Sequence, residues 1–309
     1  MQSAYSSVPN EVLLICPVCG GTDLPAKLQV QDRSVSQETF TIAQCAACGL
    51  QFTNPRPDAA SIGKYYESAA YVSHNSAARG LVNRVYRVAR FFTMRRKVAL
   101  ITQLNGGRAG RVLDYGCGTG HFLARAKNSG WQVTGLEPNP GARQAAAARV
   151  GQPILEARAL ATLPPASFDT VTLWHVLEHV HTLNETLAQL VAALKPGGRL
   201  LIAVPNPDSL DAQHYRHDWA AYDVPRHLYH FVPDTMRQLL ARHGLRITQT
   251  LPLPLDAYYV SMLSEQLRAP AQTTGPLVVL RAGRRSNQYA AQNGGQYSSL
   301  LYVAERAAG

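Results

Sequence analysis

The sequence predicts an α/β fold in which a parallel sheet carries helices on both faces, preceded by a small cysteine-rich module. A glycine-rich turn at 116–120 follows a short apolar run, and Glu137 closes a second one. Apolar runs at 168–174 and 199–204 flank residues 183–194, whose apolar positions have helical spacing. Strands that alternate with helices in this way build a parallel sheet.

The glycine-rich turn has the composition of a nucleoside-cofactor site. Gly116, Gly118 and Gly120 let the backbone turn sharply and approach a ligand without a Cβ clash. A helix that starts near residue 119 would point its free N–H groups at that ligand. Glu137, at the tip of the next strand, can accept both hydroxyl protons of a ribose. The sequence therefore predicts a site for a nucleoside.

The spacing of the turn distinguishes between nucleosides. The dinucleotide fingerprint Gly-x-Gly-x-x-Gly fails, because His121 stands where the last glycine is required. Asp114-x-Gly-x-Gly-x-Gly instead resembles the first motif of the class I S-adenosylmethionine (SAM) methyltransferases, and Gly135-Leu-Glu-Pro138 resembles their second. The negative charge of Asp114 suits the methionine ammonium of SAM and would repel a pyrophosphate.

This resemblance implies a Rossmann-like, seven-stranded methyltransferase sheet with helices on both faces. It covers residues 106–250 well and the C-terminal part loosely, where residues 245–251 and 298–304 are expected to supply the last two strands. The family's polar residue near adenine has no counterpart in the segment 156–160, so backbone groups are expected there. The cofactor residues expected from the resemblance are Asp114, Tyr115, Gly116, Cys117, Gly118, Gly120, Glu137, Pro138, Arg158, Ala159, Trp174 and His175.

Four cysteines near the N-terminus predict a structural metal site. Cys16, Cys19, Cys45 and Cys48 form two Cys-x-x-Cys-Gly knuckles separated by 25 residues. Four thiolates at this spacing predict a closed tetrahedral Zn²⁺ site, with an iron–sulfur centre as the alternative. Disulfides are disfavoured because the first residues lack the pattern of a secretion signal. The fifth cysteine, Cys117, is expected to be a packing residue and not a nucleophile.

The expected organisation is a zinc ribbon over 11–54, a helical linker or lid over 55–105 and a methyltransferase domain over 106–309. The motif that starts at Phe52, with Tyr71 beyond it, is similar to bacterial methyltransferases that carry an N-terminal zinc ribbon, among them sugar- and polysaccharide-pathway enzymes. That resemblance implies that Tyr71 approaches the methionine end of SAM, and core packing is the alternative. No apolar run reaches the roughly twenty residues of a membrane span, and a cytoplasmic protein is expected.

Histidines mark the acceptor side of the predicted sheet. Eight of the ten fall between residues 175 and 243. A hydroxyl acceptor needs a base of near-neutral pKa, and histidine suits that role. The candidates are His227 and His230, which would share a face if their segment were helical, with His175 next. The segment 219–230 is expected to close over the acceptor. The Glu178-His179 pair is similar to one in quinone-pathway relatives, where it helps to hold a divalent metal; lining the cofactor cleft is the preferred interpretation.

The net charge of +10 leaves the partner open. Part of the excess lies on a helical stretch that is either a solvated face or a surface for an anionic partner, such as nucleic acid, a nucleotide sugar or a carrier-linked phosphate. Its basic residues are Arg79, Arg84, Arg87, Arg90, Arg95, Arg96 and Lys97.

The expected activity is methyl transfer from SAM to a hydroxyl of a small, sugar-like or otherwise polar metabolite. Two alternatives stay open. One is an rRNA or tRNA methyltransferase, although the Asn-Pro-Pro-Tyr signature of amine methylation is missing after Trp174. The other is a non-catalytic protein that binds SAM or interacts through its ribbon. The sequence indicates neither the acceptor atom nor the oligomeric state.

Overall fold

The computed structural model describes residues 10–66, 81–269 and 275–307, with the backbone alone over 81–91. In chain order its strands are β1 (Asn10–Glu11), β2 (Ala26–Gln31), β3 (Thr39–Gln44), β4 (Gln51–Thr53), β5 (Arg56–Pro57), β6 (Arg111–Tyr115), β7 (Gln132–Leu136), β8 (Phe168–Trp174), β9 (Leu194–Pro205), β10 (Tyr229–His230), β11 (Leu245–Pro252) and β12 (Ser299–Arg306). Its α-helices are α1 (Leu81–Leu104), α2 (His121–Lys127), α3 (Pro140–Val150), α4 (Leu183–Ala193), α5 (Leu210–Tyr215), α6 (Pro233–Arg242), α7 (Pro254–Arg268) and α8 (Pro276–Gln292).

The central sheet has the strand order β11-β12-β9-β8-β6-β7. Strands β7, β6, β8 and β9 are parallel, and β12 and β11 add antiparallel edges, which confirms the last two predicted strands. The described residues contain six of the seven predicted strands of this sheet. A single parallel β-bridge between Leu136 and Leu155 lies beside β7, where the seventh strand is expected. Pro153 lacks a backbone N–H, and a 3₁₀ helix begins at Ala157, so only the three residues 154–156 are left for a ladder.

Helices cover both faces of this sheet, as predicted. Helices α1, α2 and α3 pack on one face, where Ile101 and Leu123 contact the apolar side chains of the sheet. Helices α4 and α6 pack on the other, through residues such as Leu190 and Leu239. Consecutive residues 200–204 of β9 are all buried, because neighbouring residues of a strand point to opposite faces and here both faces are covered.

The N-terminal ribbon is joined to the acceptor-side segment by a shared sheet. Strand β10 pairs with β4, so that the sheet has the order β10-β4-β3-β2. The hydroxyl of Thr53 donates to the carbonyl of His227 at 2.8 Å, and Arg226 forms a buried ion pair with Asp32 at 3.0 Å. The condition under which His227 and His230 would share a helix face is not met, because residues 229–230 form a strand that pairs with β4 of the ribbon.

Residues 286–299 are rich in Gly, Gln and Ser, a composition typical of a loop, but the chain is helical as far as Gln292. No helix of the described residues is long and apolar enough to cross a membrane.

Candidate active site

The glycine-rich turn lies between β6 and α2, at the carboxyl end of the sheet. Gly116, Gly118 and Gly120 have φ of +72°, +53° and +77°, a region that glycine adopts without strain. A methyl group on Gly116 would collide with Val176, whereas one on Gly118 would meet no atom within 4 Å. The turn is therefore packed at its start and open above Gly118, where a ligand can approach the backbone.

Glu137, which follows β7, holds this turn by hydrogen bonds to its side-chain carboxylate. Its carboxylate accepts the N–H of Gly118 at 2.8 Å and the N–H of Asn139 at 2.9 Å, and the side chain is 7% exposed. Each carboxylate oxygen has a second acceptor position, so the pair can still receive two hydroxyl protons. The geometry agrees with the predicted ribose site.

Asp114 lies one strand away and is almost fully buried. The hydroxyl of Thr172 donates to its carboxylate at 2.6 Å, across the parallel register of β6 and β8. Burial raises the pKa of Asp114 to about 7, against the weaker opposing effects of Thr172 and Lys97. The carboxyl group therefore changes its charge near neutral pH, and an ammonium group bound beside it would favour the ionised form.

The remainder of the turn is packing. The backbone N–H groups of Gly116 and Cys117 both donate to the carbonyl of Leu136, at 2.8 and 3.0 Å. Burial raises the pKa of the Cys117 thiol, which agrees with the expected packing role. Tyr115 is half-buried beside it. Tyr71 lies outside the described residues.

The predicted adenine side consists of backbone groups and exposed side chains. The N–H of Glu137 donates to the carbonyl of Leu155 at 3.0 Å, which brings the following 3₁₀ helix alongside the ribose carboxylate. Pro138 is exposed and Ala159 is half-buried. The side chain of Arg158 is 86% exposed, and its guanidinium pairs with the carboxylate of Glu156 at 2.6 Å. The guanidinium therefore lies at the protein surface.

Charged side chains lie around the carboxyl end of β8: that of His175, a predicted site residue, and those of Lys97 and Asp256, which no sequence pattern indicates. The ammonium of Lys97 lies 3.9 Å from the ring centre of Trp174, and burial lowers its pKa to about 8. His175 has φ of +57°, and its Nε2 lies 3.1 Å from the carboxylate of Asp256. Burial would lower the pKa of His175, but Asp256 and Glu178 outweigh it and raise the value to about 9. His175 is therefore a cation at neutral pH.

A second buried cluster lies on the predicted acceptor side and consists of Glu178, His179 and His227. One potential ligand atom from each lies within 4.8 Å of the others. Both carboxylate oxygens of Glu178 are buried without a hydrogen-bond partner among the described residues, and His175 approaches one of them only to 3.7 Å. A carboxylate with two imidazoles can accept protons or hold a divalent cation.

His227 has a defined tautomer in this cluster. Its Nδ1 lies 2.8 Å from the carbonyl of Ala221, so this nitrogen carries the proton and Nε2 keeps its lone pair. Burial and the neighbouring His179 lower the pKa of His227 to about 4. The ring is therefore neutral at physiological pH and a weaker base than the near-neutral histidine expected from the sequence. The buried carboxylate of Glu178 would stabilise the cation that forms when Nε2 accepts a proton.

His230 stands apart from the cluster. It lies on β10, where its ring packs 5.3 Å from that of Tyr222, and burial holds its pKa well below the ordinary value. Its Nε2 is buried without a hydrogen-bond partner in the described part of the chain. The structure thus includes His227 in the cluster with Glu178 and His179 and leaves His230 outside it.

The four N-terminal thiols converge. The Sγ atoms of Cys16 and Cys48 lie 3.5 Å apart and those of Cys19 and Cys45 lie 3.4 Å apart, with all four within 4.8 Å. Each knuckle is closed by a backbone bond from the glycine after its second cysteine, such as the N–H of Gly49 to the carbonyl of Cys45 at 2.8 Å. Four sulfur donors at these separations fit a tetrahedral metal site.

Comparison with known proteins identifies the family. The profile of the family described as "Methyltransferase domain" matches residues 86–250, which is more than half of the chain. Malonyl-[acyl-carrier protein] O-methyltransferase of Enterobacter lignolyticus is 33% identical over 50% of this chain and 63% of its own. Ubiquinone biosynthesis O-methyltransferase of Xanthomonas euvesicatoria is 34% identical over 31% of this chain and 43% of its own. The chain thus spans less than two thirds of both relatives.

Among solved structures, magnesium protoporphyrin IX methyltransferase from Synechocystis PCC 6803 with bound SAH has a TM-score of 0.52. The superposition covers 81% of this chain and 100% of that one, at 17% sequence identity. A likeness at this identity confirms the α/β methyltransferase fold.

Proposed function

The chain belongs to the methyltransferase-domain family, and from this membership we propose that it transfers a methyl group from SAM to a hydroxyl of a small or carrier-linked acceptor. The observation that carries the proposal is the carboxylate of Glu137, which lies beside the open backbone of Gly118 at the carboxyl end of the sheet. In open α/β sheets, ligands bind at this end.

Asp114, Gly118 and Glu137 form the proposed cofactor site. Glu137 would accept the ribose hydroxyls, and the ionised Asp114 would face the methionine ammonium. Adenine would lie against the backbone of the 3₁₀ helix at 157–162, as the sequence predicts. When bound, SAM supplies a methyl group on a positively charged sulfur. Transfer of that methyl leaves a neutral thioether, so the leaving group needs no acid.

His227 is the proposed base. As the acceptor oxygen bonds to the methyl group, its proton passes to Nε2 of His227, and Glu178 stabilises the imidazolium that results. Support comes from the lone pair that the Ala221 contact leaves on Nε2 and from the two relatives, both named as O-methyltransferases. The relative named for a malonyl acyl carrier protein makes carrier-linked acceptors a class to include.

Product analysis tests this proposal. The full chain is incubated with SAM and three acceptor classes: free and nucleotide-linked sugars, phenols and a carrier-linked carboxylic acid. We expect S-adenosylhomocysteine (SAH) to accumulate with one class, together with a product heavier by one methylene unit. Methylation of total RNA with no product in any of these classes would replace the proposal by the RNA alternative.

The cofactor site predicts a pH-dependent affinity. Since the folded protein holds the pKa of Asp114 at about 7, each pH unit below that value should weaken SAH binding by up to about tenfold, and affinity should level off above it. Calorimetry over this range tests the effect. Asp114→Asn should bind weakly at every pH, while Asp169→Asn, at the opposite end of β8, should keep the wild-type profile. A flat wild-type profile would contradict the assigned role.

Zinc is proposed for the four thiols, because tetrahedral four-sulfur sites are those of structural Zn²⁺. Elemental analysis of freshly purified protein should find one zinc per chain. Cys45→Ser should lower the folding yield, since a ribbon of this size buries too little apolar area to fold alone. Cys117→Ser is the matched control and should retain zinc and yield. Iron in place of zinc would indicate an iron–sulfur centre, and the absence of both metals would refute the site.

A further inference from the structure

Helix α8 presents its large apolar side chains to solvent and its small ones to the protein. Gly283, Ser286 and Ala290 are buried, and a side chain at Gly283 would collide with the ring of Tyr258 on α7. On the outer face, Leu277, Val278 and Leu280 are 65%, 48% and 55% exposed. An ordinary amphipathic surface helix has the opposite arrangement.

Three arginines lie just beyond these apolar side chains. Arg281 and Arg284 follow Leu277 at positions +4 and +7, which places them on the same exposed face, and Arg285 follows Val278 at +7. With a rise of 1.5 Å per residue, the centre of the arginines lies about 7 Å along the helix axis from that of the apolar group. We call residues 277–285 the basic–apolar end of α8.

Helix α8 contains no Asp or Glu. Arg285 lines one cavity with Asp211 and Glu265, and Asp211 already accepts hydrogen bonds from Nε1 of Trp219 and from the hydroxyls of Ser286 and Ser298. The two acids of α7 are engaged elsewhere, Asp256 with His175 at 3.1 Å and Glu265 with the hydroxyl of Tyr215 at 2.9 Å. A second copy of this chain that used the same surface would bring the same positive charges, so symmetric self-association through this surface is disfavoured.

We propose that the basic–apolar end of α8 docks on an anionic lipid bilayer, with its leucines and valine among the upper acyl chains and its arginines at the level of the phosphates. A helix that meets the bilayer with its N-terminal end would place the apolar side chains about 7 Å deeper than the arginines, which lies within the depth of about 5–10 Å at which interfacial helices bury apolar side chains. Arginine offers bidentate hydrogen bonds to phosphate oxygens. A bilayer presents anionic phosphates above an apolar layer. This order matches that of the arginines and the apolar side chains along the helix axis.

Vesicle sedimentation with the full chain, without cofactor, tests this surface independently of methyl transfer. We expect binding to vesicles of phosphatidylcholine with phosphatidylglycerol, little binding to phosphatidylcholine alone, and loss of binding at high ionic strength. Each arginine near an anionic surface strengthens binding by roughly fivefold, so R281Q/R284Q/R285Q should weaken it by roughly a hundredfold. L277Q/V278Q/L280Q should weaken it as well, because the apolar contribution is lost.

Matched variants separate this surface from general positive charge. R108Q/R237Q/R246Q removes the same charge from other exposed sites and should retain vesicle binding, as should V12Q/L14Q/I15Q, which alters exposed apolar residues of the ribbon. Circular dichroism verifies that each variant is folded. Equal loss in both arginine triples, or equal binding to neutral and anionic vesicles, would overturn the proposal. So would a surface that binds an acidic soluble protein or a second copy but no vesicle.

Discussion

Replacement of His227 by alanine should slow methyl transfer by about 10²–10⁴-fold, the range for loss of a general base, while SAH binds with unchanged affinity. The reason is the arrangement around Nε2: a neutral imidazole with a lone pair lies near the carboxylate of Glu178, which has no hydrogen-bond partner among the described residues. Steady-state rates with the acceptor found by product analysis, together with calorimetry of SAH, measure both quantities.

Two further variants complete this test. His217→Ala alters an exposed histidine and should leave the rate unchanged. His230→Ala, outside the cluster, should have a smaller effect than His227→Ala. If His227→Ala, His230→Ala and their double variant all keep wild-type turnover, the base lies elsewhere; His175, the next candidate from the sequence, is already protonated at neutral pH.

Replacement of Glu137 by alanine should weaken SAH binding by about 1.5–3 kcal/mol, the scale of hydrogen bonds to a charged group. The carboxylate has two functions in the structure, since it would accept the ribose hydroxyls and it already holds the N–H of Gly118. Calorimetry with SAH measures the loss.

Two further variants, Glu137→Gln and Glu185→Ala, test whether the loss of SAH affinity comes from the acceptor oxygens of Glu137. Glutamine keeps one acceptor oxygen near Gly118 and should recover part of the affinity. Glu185, exposed in the first turn of α4, is the matched acidic control and should bind SAH normally. Wild-type affinity in Glu137→Ala would remove the basis for the cofactor site.

Local spacing is sufficient to predict the turn and the thiol cluster. Gly116, Gly118 and Gly120 need positive φ at alternate positions, and a Cys-x-x-Cys-Gly knuckle closes on its own glycine, so a few neighbouring residues determine each geometry. The positions of β11 and β12 follow from the resemblance to the methyltransferase fold. These parts of the fold were accessible without tertiary information.

Long-range contacts determine the parts that the sequence misses. Lys97 and Asp256 come from α1 and α7 and meet the end of β8 only in the folded chain, so no local pattern indicates them. The strand at Tyr229–His230 is two residues long and forms because β4 pairs with it, a length at which periodicity carries no signal. The shift in the pKa of Asp114 likewise depends on burial under elements distant in sequence.

A crystal structure of the complex with SAH tests the central claim most directly. The account predicts that both ribose hydroxyls lie within hydrogen-bond distance of the Glu137 carboxylate and that the ligand passes over the open backbone of Gly118. The amino group of the ligand should lie on the side of Asp114, and the sulfur should face the cluster of Glu178, His179 and His227. A ligand bound elsewhere, or no SAH in the turn at saturating concentration, would contradict the assignment of this site.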